Sequence, residues 1–311
     1  MYRLRRAWQA RGLTATVAAV ALCALAGPTA DAAARAQGRP ADRIAFARVT
    51  TTVAGLPRHD IYVMKVNGAD QRRLTRTPDD ESDPAWSPDG RRLAFTRSPK
   101  PYGAKRDVFV MNADGTGVRR LTNDGSSDDP SWSPDGRRIA YTTWTGGGAI
   151  VIVDADGGSS GRVLTDTGDS WGPAWSPDGR RLAFASNRDA WKDPDFWSDL
   201  YVMPADGGGA SRLTDDGGSY DPAWSPDGRR IAFTTGRTLS MMRPSGAEKR
   251  SVSTLLDAPR SPSWSPDGRR IVFEASLASR QKPRILVMNA DGTGMRTLAV
   301  NSGSPAWSAG Q

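Results

Sequence analysis

A single short motif recurs along most of this 311-residue chain. Five tryptophans each begin the string Trp-Ser-Pro-Asp-Gly-Arg-Arg, and a sixth belongs to a truncated copy near the end of the sequence. Successive tryptophans lie 46, 43, 49, 40 and 43 residues apart, a period typical of folds in which each repeat forms one supersecondary unit. The six residues are Trp86, Trp132, Trp175, Trp224, Trp264 and Trp307.

Each repeat contains four segments with the character of short strands. In the repeat around Trp86, a first strand runs into Ser-Pro-Asp-Gly90, where proline sets φ and glycine supplies the positive φ of a tight turn. Residues 93–96 match a second strand, the nearly all-apolar residues 107–111 a third, and residues 119–122 a fourth. Four short strands within this period predict one blade of a β-propeller.

The two ends of the repeat region complement each other. Residues 43–47 match the second strand of a repeat, and residues 61–64 and 72–75 match the third and fourth, while residues 304–308 supply the missing first strand. The sequence therefore predicts an all-β, six-bladed β-propeller with four antiparallel strands per blade, closed by a C-terminal strand that completes the first blade. We interpret the six repeat tryptophans as wedges between blades. The alternative is a ring of exposed, ligand-binding tryptophans.

The N-terminal residues have the composition of a secretory signal peptide. Four arginines within residues 1–11 precede an apolar run over residues 15–26, and cleavage is expected at Ala30-Asp-Ala32. We therefore expect a signal peptide over residues 1–32, a linker over 33–42 and the propeller over 43–311, in a secreted or periplasmic protein. An uncleaved anchor is the alternative, and no membrane span is expected after cleavage. The only cysteine, Cys23, lies in the apolar run, so no disulfide is expected.

The repeat resembles a known family. The Trp-Ser-Pro-Asp-Gly turn, the following Ile/Leu-Ala-Phe strand and the consensus Ile-Tyr-Val-Met-Asn-x-Asp-Gly together resemble the WD-repeat-like propeller repeats of the TolB family. The resemblance covers residues 43–308. TolB-type proteins also carry an N-terminal α/β domain and act in the periplasm with the Pal lipoprotein. Because only residues 33–42 separate the expected signal peptide from the first strand, the resemblance implies the propeller domain alone.

The residue inventory argues against familiar catalytic centres. His59 is the only histidine and is expected in a solvent-facing loop, which excludes histidine-rich metal sites and a Ser-His-Asp triad. Turns such as residues 112–115 resemble calcium loops but lack their spaced aspartates and downstream glutamate. We predict no enzyme activity, no metal and no cofactor. A glycan hydrolase or lyase that uses paired carboxylates is the alternative.

Strand alternation sorts the loops onto two faces. The Ser-Pro-Asp-Gly and Asn-Ala-Asp-Gly turns share one face, here called the turn face. The loops between second and third strands share the other, the variable-loop face, with the linkers between blades. Six large aromatic residues map to the variable-loop face of blades three to five, and we predict that they form a binding patch. The alternative is a lid that buries its own tryptophans. The six are Trp144, Trp171, Trp191, Phe196, Trp197 and Tyr220.

Charge also differs between the faces. The linkers are acidic and lead into the innermost strands, so their carboxylates are expected to crowd the channel mouth, while five Arg-Arg pairs make the turn face basic. The alternative is that both faces are simply well solvated. Nucleic acid is not expected as a partner, because the chain is expected to be exported and lacks interleaved aromatic and basic residues. The residues assigned to the acidic channel mouth are Asp83, Asp129, Asp169 and Asp221.

These patterns predict an exported, non-catalytic and monomeric binding module. Its expected partner is a cell-envelope protein or polysaccharide, recognised through the variable-loop face. The alternative function is a carboxylate-dependent glycan hydrolase or lyase acting at the acidic channel mouth. A third interpretation is a ring that docks a partner through its basic turn face.

Overall fold

The computed structural model describes residues 43–53, 56–99, 105–158, 160–189, 197–253, 256–277 and 282–308. Within these ranges the chain forms 24 β-strands and no helix. The strands assemble into six sheets of four, and each sheet is one blade of a propeller. Neighbouring strands within each sheet run antiparallel.

Blade 1 joins the two ends of the repeat region: β1 (Arg43–Val53), β2 (Leu56–Lys65), β3 (Arg72–Arg73) and β24 (Ser302–Trp307). Blade 2 contains β4 (Asp80–Trp86), β5 (Arg92–Ser98), β6 (Asp107–Asn112) and β7 (Arg119–Arg120). Blade 3 contains β8 (Ser127–Trp132), β9 (Arg138–Thr143), β10 (Ala149–Asp154) and β11 (Arg162–Val163).

The remaining blades follow the same order from the innermost strand outward. Blade 4 contains β12 (Ser170–Trp175), β13 (Arg181–Ser186), β14 (Asp199–Pro204) and β15 (Ser211–Arg212). Blade 5 contains β16 (Ser219–Trp224), β17 (Ile231–Thr235), β18 (Thr238–Met242) and β19 (Arg250–Ser251). Blade 6 contains β20 (Asp257–Trp264), β21 (Arg270–Ser276), β22 (Arg284–Asn289) and β23 (Arg296–Val300).

The ring closes in blade 1, as the sequence predicted. Strand β24 pairs with β1, with Trp307 opposite Ile44, and occupies the innermost position of that blade. The Ser308 amide donates to the Arg43 carbonyl at 2.9 Å, and the Arg43 amide donates to the Ser308 hydroxyl at 3.1 Å. The prediction of a six-bladed, four-stranded propeller closed by a C-terminal strand is confirmed.

The Ser-Pro-Asp-Gly turn is held by its own side chains. In blade 3, the Ser133 hydroxyl donates to Asp135 at 2.5 Å, and the Arg138 amide donates to the Ser133 hydroxyl at 2.9 Å. Gly136 has a φ of 68°, a left-handed conformation that costs glycine little. The hydrogen bonds from Ser133 and from the Arg137 amide lower the pKa of Asp135. The serine, the aspartate and the glycine of the motif therefore each stabilise the turn.

The repeat tryptophans lie in the interfaces between blades. Trp132 is buried against Val108 and Val110 of blade 2 and Ile139 of its own blade. Its indole N–H donates to the Ala85 carbonyl of blade 2 at 3.1 Å. Each tryptophan thus contributes to a hydrophobic cluster that draws on two adjacent blades, so no blade completes its core alone.

The second arginine of the motif packs against the tryptophan of the next blade. Arg92 lies 4.6 Å from the centroid of a Trp132 ring, and its guanidinium also pairs with Asp156 at 2.8 Å. The first arginine, such as Arg91, is exposed. Cation–π contacts of this kind add to the burial of the indole. The four stacked pairs are Arg92–Trp132, Arg138–Trp175, Arg181–Trp224 and Arg270–Trp307.

Deleting residues 304–311 should disrupt the ring. The deletion removes most of β24 and the buried Trp307, whose loss alone should cost about 3–5 kcal/mol of unfolding free energy. It also leaves β1 as an open sheet edge, so aggregation is expected. Thermal melting and size-exclusion chromatography would measure both effects. Deleting only residues 309–311, which keeps β24 and Ser308, is the control, and equal melting of both truncations would contradict ring closure.

The two arginines of one motif should differ in their effect on stability. Arg92→Ala removes a stacked, ion-paired guanidinium and should lower the unfolding free energy by about 1–2 kcal/mol. Arg91→Ala removes the same charge from an exposed position and should change stability by less than about 0.5 kcal/mol. Urea denaturation of the two variants is the measurement. Similar values for both would show that the stack on Trp132 contributes nothing.

Candidate functional site

The innermost strands share one backbone irregularity that shapes the central channel. Three residues before each repeat tryptophan, the pairing with the neighbouring strand shifts register, as between Ser82 and Ala85 in blade 2. The bulged residue has a φ between 47° and 61° in all six blades. A bulge bends a strand and re-aims side chains. The six positions are Asp83, Asp129, Gly172, Asp221, Ser261 and Ser304.

These six residues, with the proline that follows each, line a cavity of about 140 Å³ in the channel. Three of the four predicted carboxylates line it: Asp83, Asp129 and Asp221. Asp169 does not, because Gly172 occupies the equivalent position in blade 4. Asp169 instead accepts a hydrogen bond from the Gly148 amide at 2.8 Å. The channel positions are the residues that lie three before each repeat tryptophan. The acidity of a linker residue does not by itself place it in the channel.

Most of the other linker carboxylates are structural. Glu81 accepts hydrogen bonds from Thr77 at 2.7 Å and lies 3.0 Å from an Arg97 nitrogen, and burial raises its pKa. Asp124 accepts from Ser127 at 2.7 Å and from Thr143 at 2.9 Å. Such side chains tie each linker to its blade. The acidic character of the channel therefore comes from the bulge positions.

Asp128 and Asp129 form an unusual acidic pair beside the channel. Burial raises the pKa of Asp128 to about 6, although Arg106 donates to its carboxylate at 2.6 Å. Burial, and the nearby charges of Asp128, Asp83 and Asp221, raise the pKa of Asp129 well above its usual range. Within the described ranges, no hydrogen-bond donor contacts the Asp129 carboxyl. At neutral pH this site therefore disfavours the negative charge of Asp129.

Two of the predicted patch residues stack on each other next to this pair. The rings of Trp144 and Trp171 have centroids 6.2 Å apart, with planes inclined by 30°. The Trp144 indole N–H donates to both oxygens of Asp128, at 3.0 and 3.1 Å. A Cβ at Gly148 would lie 3.1 Å from the Trp144 ring, so glycine allows this close approach. Trp171 and Tyr220 pack against one hydrophobic cluster between blades 4 and 5.

Trp197 stands apart from this stack on the same face. Its side chain is 82% exposed, compared with 40% for Trp144. Its amide donates to the Gly217 carbonyl at 2.8 Å, which ties the base of the blade 4 loop to the linker that leads to blade 5. Trp191 and Phe196 lie outside the described residues. The structure therefore brings together Trp144, Trp171 and Tyr220 and leaves Trp197 projecting from the surface.

His59 differs from the sequence expectation. Strands β1 and β2 form a longer hairpin than predicted, so His59 lies within β2 rather than in a solvent-facing loop. Its Nδ1 atom is 3.0 Å from an Asp80 oxygen, and the side chain is mostly buried. No cluster of three or more His, Cys, Asp or Glu side chains suited to a metal ion occurs in the described part of the chain. The described residues also form no helix that is long and apolar enough to cross a membrane.

Replacing Asp129 with asparagine should stabilise the protein in a pH-dependent way. Because the folded-state pKa is raised, the stability linked to this group is complete below about pH 3.8 and is lost as pH rises through the folded-state pKa. Asparagine keeps the shape, removes the charge and tolerates a positive φ. At pH 8 we expect Asp129→Asn to raise the melting temperature by ~2–4 °C, equivalent to about 1 kcal/mol.

The measurement is thermal melting of wild type and Asp129→Asn across pH 4 to 8. The difference between them should vanish towards pH 4. Asp135→Asn, at a turn aspartate whose pKa is lowered, is the control and should destabilise the protein at pH 8. A destabilised Asp129→Asn at pH 8 would contradict the assignment of an unfavourable charge in the channel.

Comparison with known proteins places this geometry in a family. The family model described as the TolB β-propeller domain matches residues 38–144 and 125–311. A 43-residue segment is 51% identical to the Tol-Pal system protein TolB of Anaeromyxobacter dehalogenans strain 2CP-C. This segment covers 14% of this chain and 9% of that protein. The chain's match therefore spans less than a tenth of this curated relative.

Solved structures share the fold at low sequence identity. TolB from Acinetobacter baumannii superposes with a TM-score of 0.72 at 20% identity, over 90% of this chain and 71% of that one. A putative TolB from Agrobacterium tumefaciens superposes with a TM-score of 0.65 at 23% identity, over 83% of this chain and 88% of that one. A lyase and a peptidase are also among the structures with this fold, so the fold alone does not separate binding from catalysis. The match of the family model over most of the sequence shows that this chain belongs to the TolB β-propeller family.

Proposed function

We propose that this chain is an exported, monomeric and non-catalytic binding module that recognises a cell-envelope protein or polysaccharide through its variable-loop face. In this proposal residues 1–32 are a signal peptide and residues 33–42 a linker, and the protein works in the periplasm or outside the cell. Membership of the TolB β-propeller family supports a protein-binding propeller. The aromatic residues of blades 3 to 5 are the proposed contact surface.

The observation that carries this proposal is the pairing of a rigid aromatic stack with an exposed tryptophan. Trp144 is fixed by Asp128 and Trp171, and yet keeps 40% of its surface in contact with solvent. Trp197 exposes 82% of its surface on the same face. Exposing large apolar rings costs free energy unless a partner covers them, and tryptophan is enriched in binding hot spots. A fixed ring also loses little side-chain entropy when it binds.

A second function is supported by the acidic pair at the channel. Asp128, with a pKa of about 6, lies beside Asp129, whose pKa is also raised. Carboxyl groups with raised pKa values can act as general acids near neutral pH, as in glycan cleavage. Incubation of the purified protein with a panel of envelope glycans separates the two functions. Turnover that depends on Asp129 would favour the enzyme, and binding without turnover would favour the module.

Truncating Trp197 should weaken partner binding without unfolding the protein. A partner would first be captured from a cell-envelope extract with the exported protein and then titrated against variants. Trp197→Ala should reduce the binding free energy by roughly 2–4 kcal/mol, the range of interface hot spots. Its melting temperature should hardly change, because the ring is largely exposed. The double variant that also carries Trp191→Ala should lose at least as much binding free energy.

Leu56→Ala is the matched control for this experiment. Leu56 is an exposed apolar residue in the β1–β2 hairpin, on the variable-loop face of blade 1, which lies across the ring from blade 4. This variant should bind like the wild type. Normal binding by Trp197→Ala, or an early melting transition that indicates a structural lid, would remove Trp197 from the proposed contact surface.

A further inference from the structure

Blade 5 departs from the repeat on the turn face, opposite the aromatic residues. The turn between the third and fourth strands carries aspartate at its third position in four blades, and blade 1 has Asn67 there. Blade 5 instead reads Arg243-Pro-Ser245-Gly, so an acidic residue is lost and a basic residue is gained in the same turn. The four aspartates are Asp114, Asp156, Asp206 and Asp291.

At one interface the aspartate of this turn pairs with a stacked arginine. Across the interface of blades 2 and 3, Asp156 pairs with the stacked Arg92 at 2.8 Å. The equivalent residues across blades 4 and 5 are Ser245 and Arg181. Arg181 stacks on Trp224 with its guanidinium 4.8 Å from a ring centroid, as Arg92 does on Trp132. Ser245 carries no charge, so the blade 5 turn offers Arg181 no carboxylate of the kind that Asp156 offers to Arg92.

The neighbouring arginines of blade 5 increase this excess of positive charge. Arg230 is exposed, whereas the four arginines at its equivalent position are half-buried against tryptophans. Arg229 is exposed as well. Arg243 pairs with Glu248 at 2.6 Å, a contact that lowers the pKa of the glutamate. Among the described residues, no acidic side chain forms an ion pair with Arg181, Arg229 or Arg230.

One groove of about 650 Å³ on the turn face is lined by Arg181, Arg229, Arg230, Arg243, Ser245 and Glu248. Its four arginines and single glutamate, Glu248, leave a net charge of +3 on the lining. The turn that contributes Arg243 is tightly constrained, because the Arg243 amide donates to the Ala247 carbonyl at 2.7 Å. Gly246, with a φ of 84°, has no room for a Cβ, which would lie 2.7 Å from the Leu213 carbonyl oxygen. Arg243 therefore projects from a constrained turn.

We propose that this groove is a binding site for a phosphoryl group. Guanidinium groups stay charged at any physiological pH and present several N–H donors in a fixed fork. A terminal phosphoryl group has three acceptor oxygens and up to two negative charges, so it can engage arginines that approach from different directions. A carboxylate, with one charge and two coplanar oxygens, offers less charge and fewer acceptor directions to a site with four arginines. The ligand class is therefore a phosphate ester, pyrophosphate or polyphosphate.

This site is independent of the proposed function, because it lies on the face opposite the aromatic residues. The decisive test is the variant Ser245→Asp, which introduces the aspartate that four other blades carry at this position. Its carboxylate should offset the positive charge of Arg181. Calorimetric titration with inorganic pyrophosphate at low ionic strength should show binding to the wild type. We expect at least a tenfold loss of affinity in Ser245→Asp, and the same in the double variant Arg229→Ala/Arg230→Ala.

The double variant Arg91→Ala/Arg137→Ala is the matched control. It removes two exposed arginines from the same face, outside the groove, and should bind pyrophosphate like the wild type. Binding of polyphosphate but not pyrophosphate, with the same sensitivity to Ser245→Asp, would identify a phosphate chain as the ligand. Equal losses of pyrophosphate affinity in both double variants would show that only the overall positive charge of the turn face matters, and would overturn the proposal. Absence of binding to either probe would also overturn it, as would undiminished binding by a correctly melting Ser245→Asp.

Discussion

The contact of each tryptophan with the neighbouring blade is the interaction on which the rest of this protein depends. A four-stranded sheet has two faces, and a blade buries both only when it stands between two others. Each seven-residue motif supplies a tryptophan, the arginine that stacks on the tryptophan of the next blade, and the turn that positions this arginine. Repeating the motif therefore repeats the interface between neighbouring blades.

Much of the architecture was predictable because it is encoded locally and repeated. The Ser-Pro-Asp-Gly turns fix hairpin positions, and the missing strand at one end of the repeat region matches the extra strand at the other. The location of Asp169 was not predictable from its acidity. Its distance of six residues from Trp175 places it outside the channel, whereas Gly172, with no side chain to attract attention, occupies the channel position.

The surroundings of the second arginine in each motif were also not predictable from the sequence. The sequence repeats Arg-Arg five times without distinction, but the residue that faces the second arginine belongs to the turn of the next blade. Only the assembled interface shows that Arg181 faces Ser245 while Arg92 faces Asp156. In a repeat protein the shared residues build the scaffold, so the departures from the repeat are the informative places to look for ligands. Gly148, Asp128 and Ser245 are departures of this kind.

The closure of blade 1 also determines how the ring would respond to mechanical tension. Strands β1 and β24 are antiparallel, and Arg43 at the start of one is hydrogen-bonded to Ser308 beyond the end of the other. A pulling force applied through the segments that flank these residues would therefore load the hydrogen bonds one after another, as in unzipping, rather than shear them together. The pairing of β1 with β24 would therefore open before the five blades that are built from contiguous segments. A protein anchored at one end and bound to a partner at the other would thus yield first at blade 1.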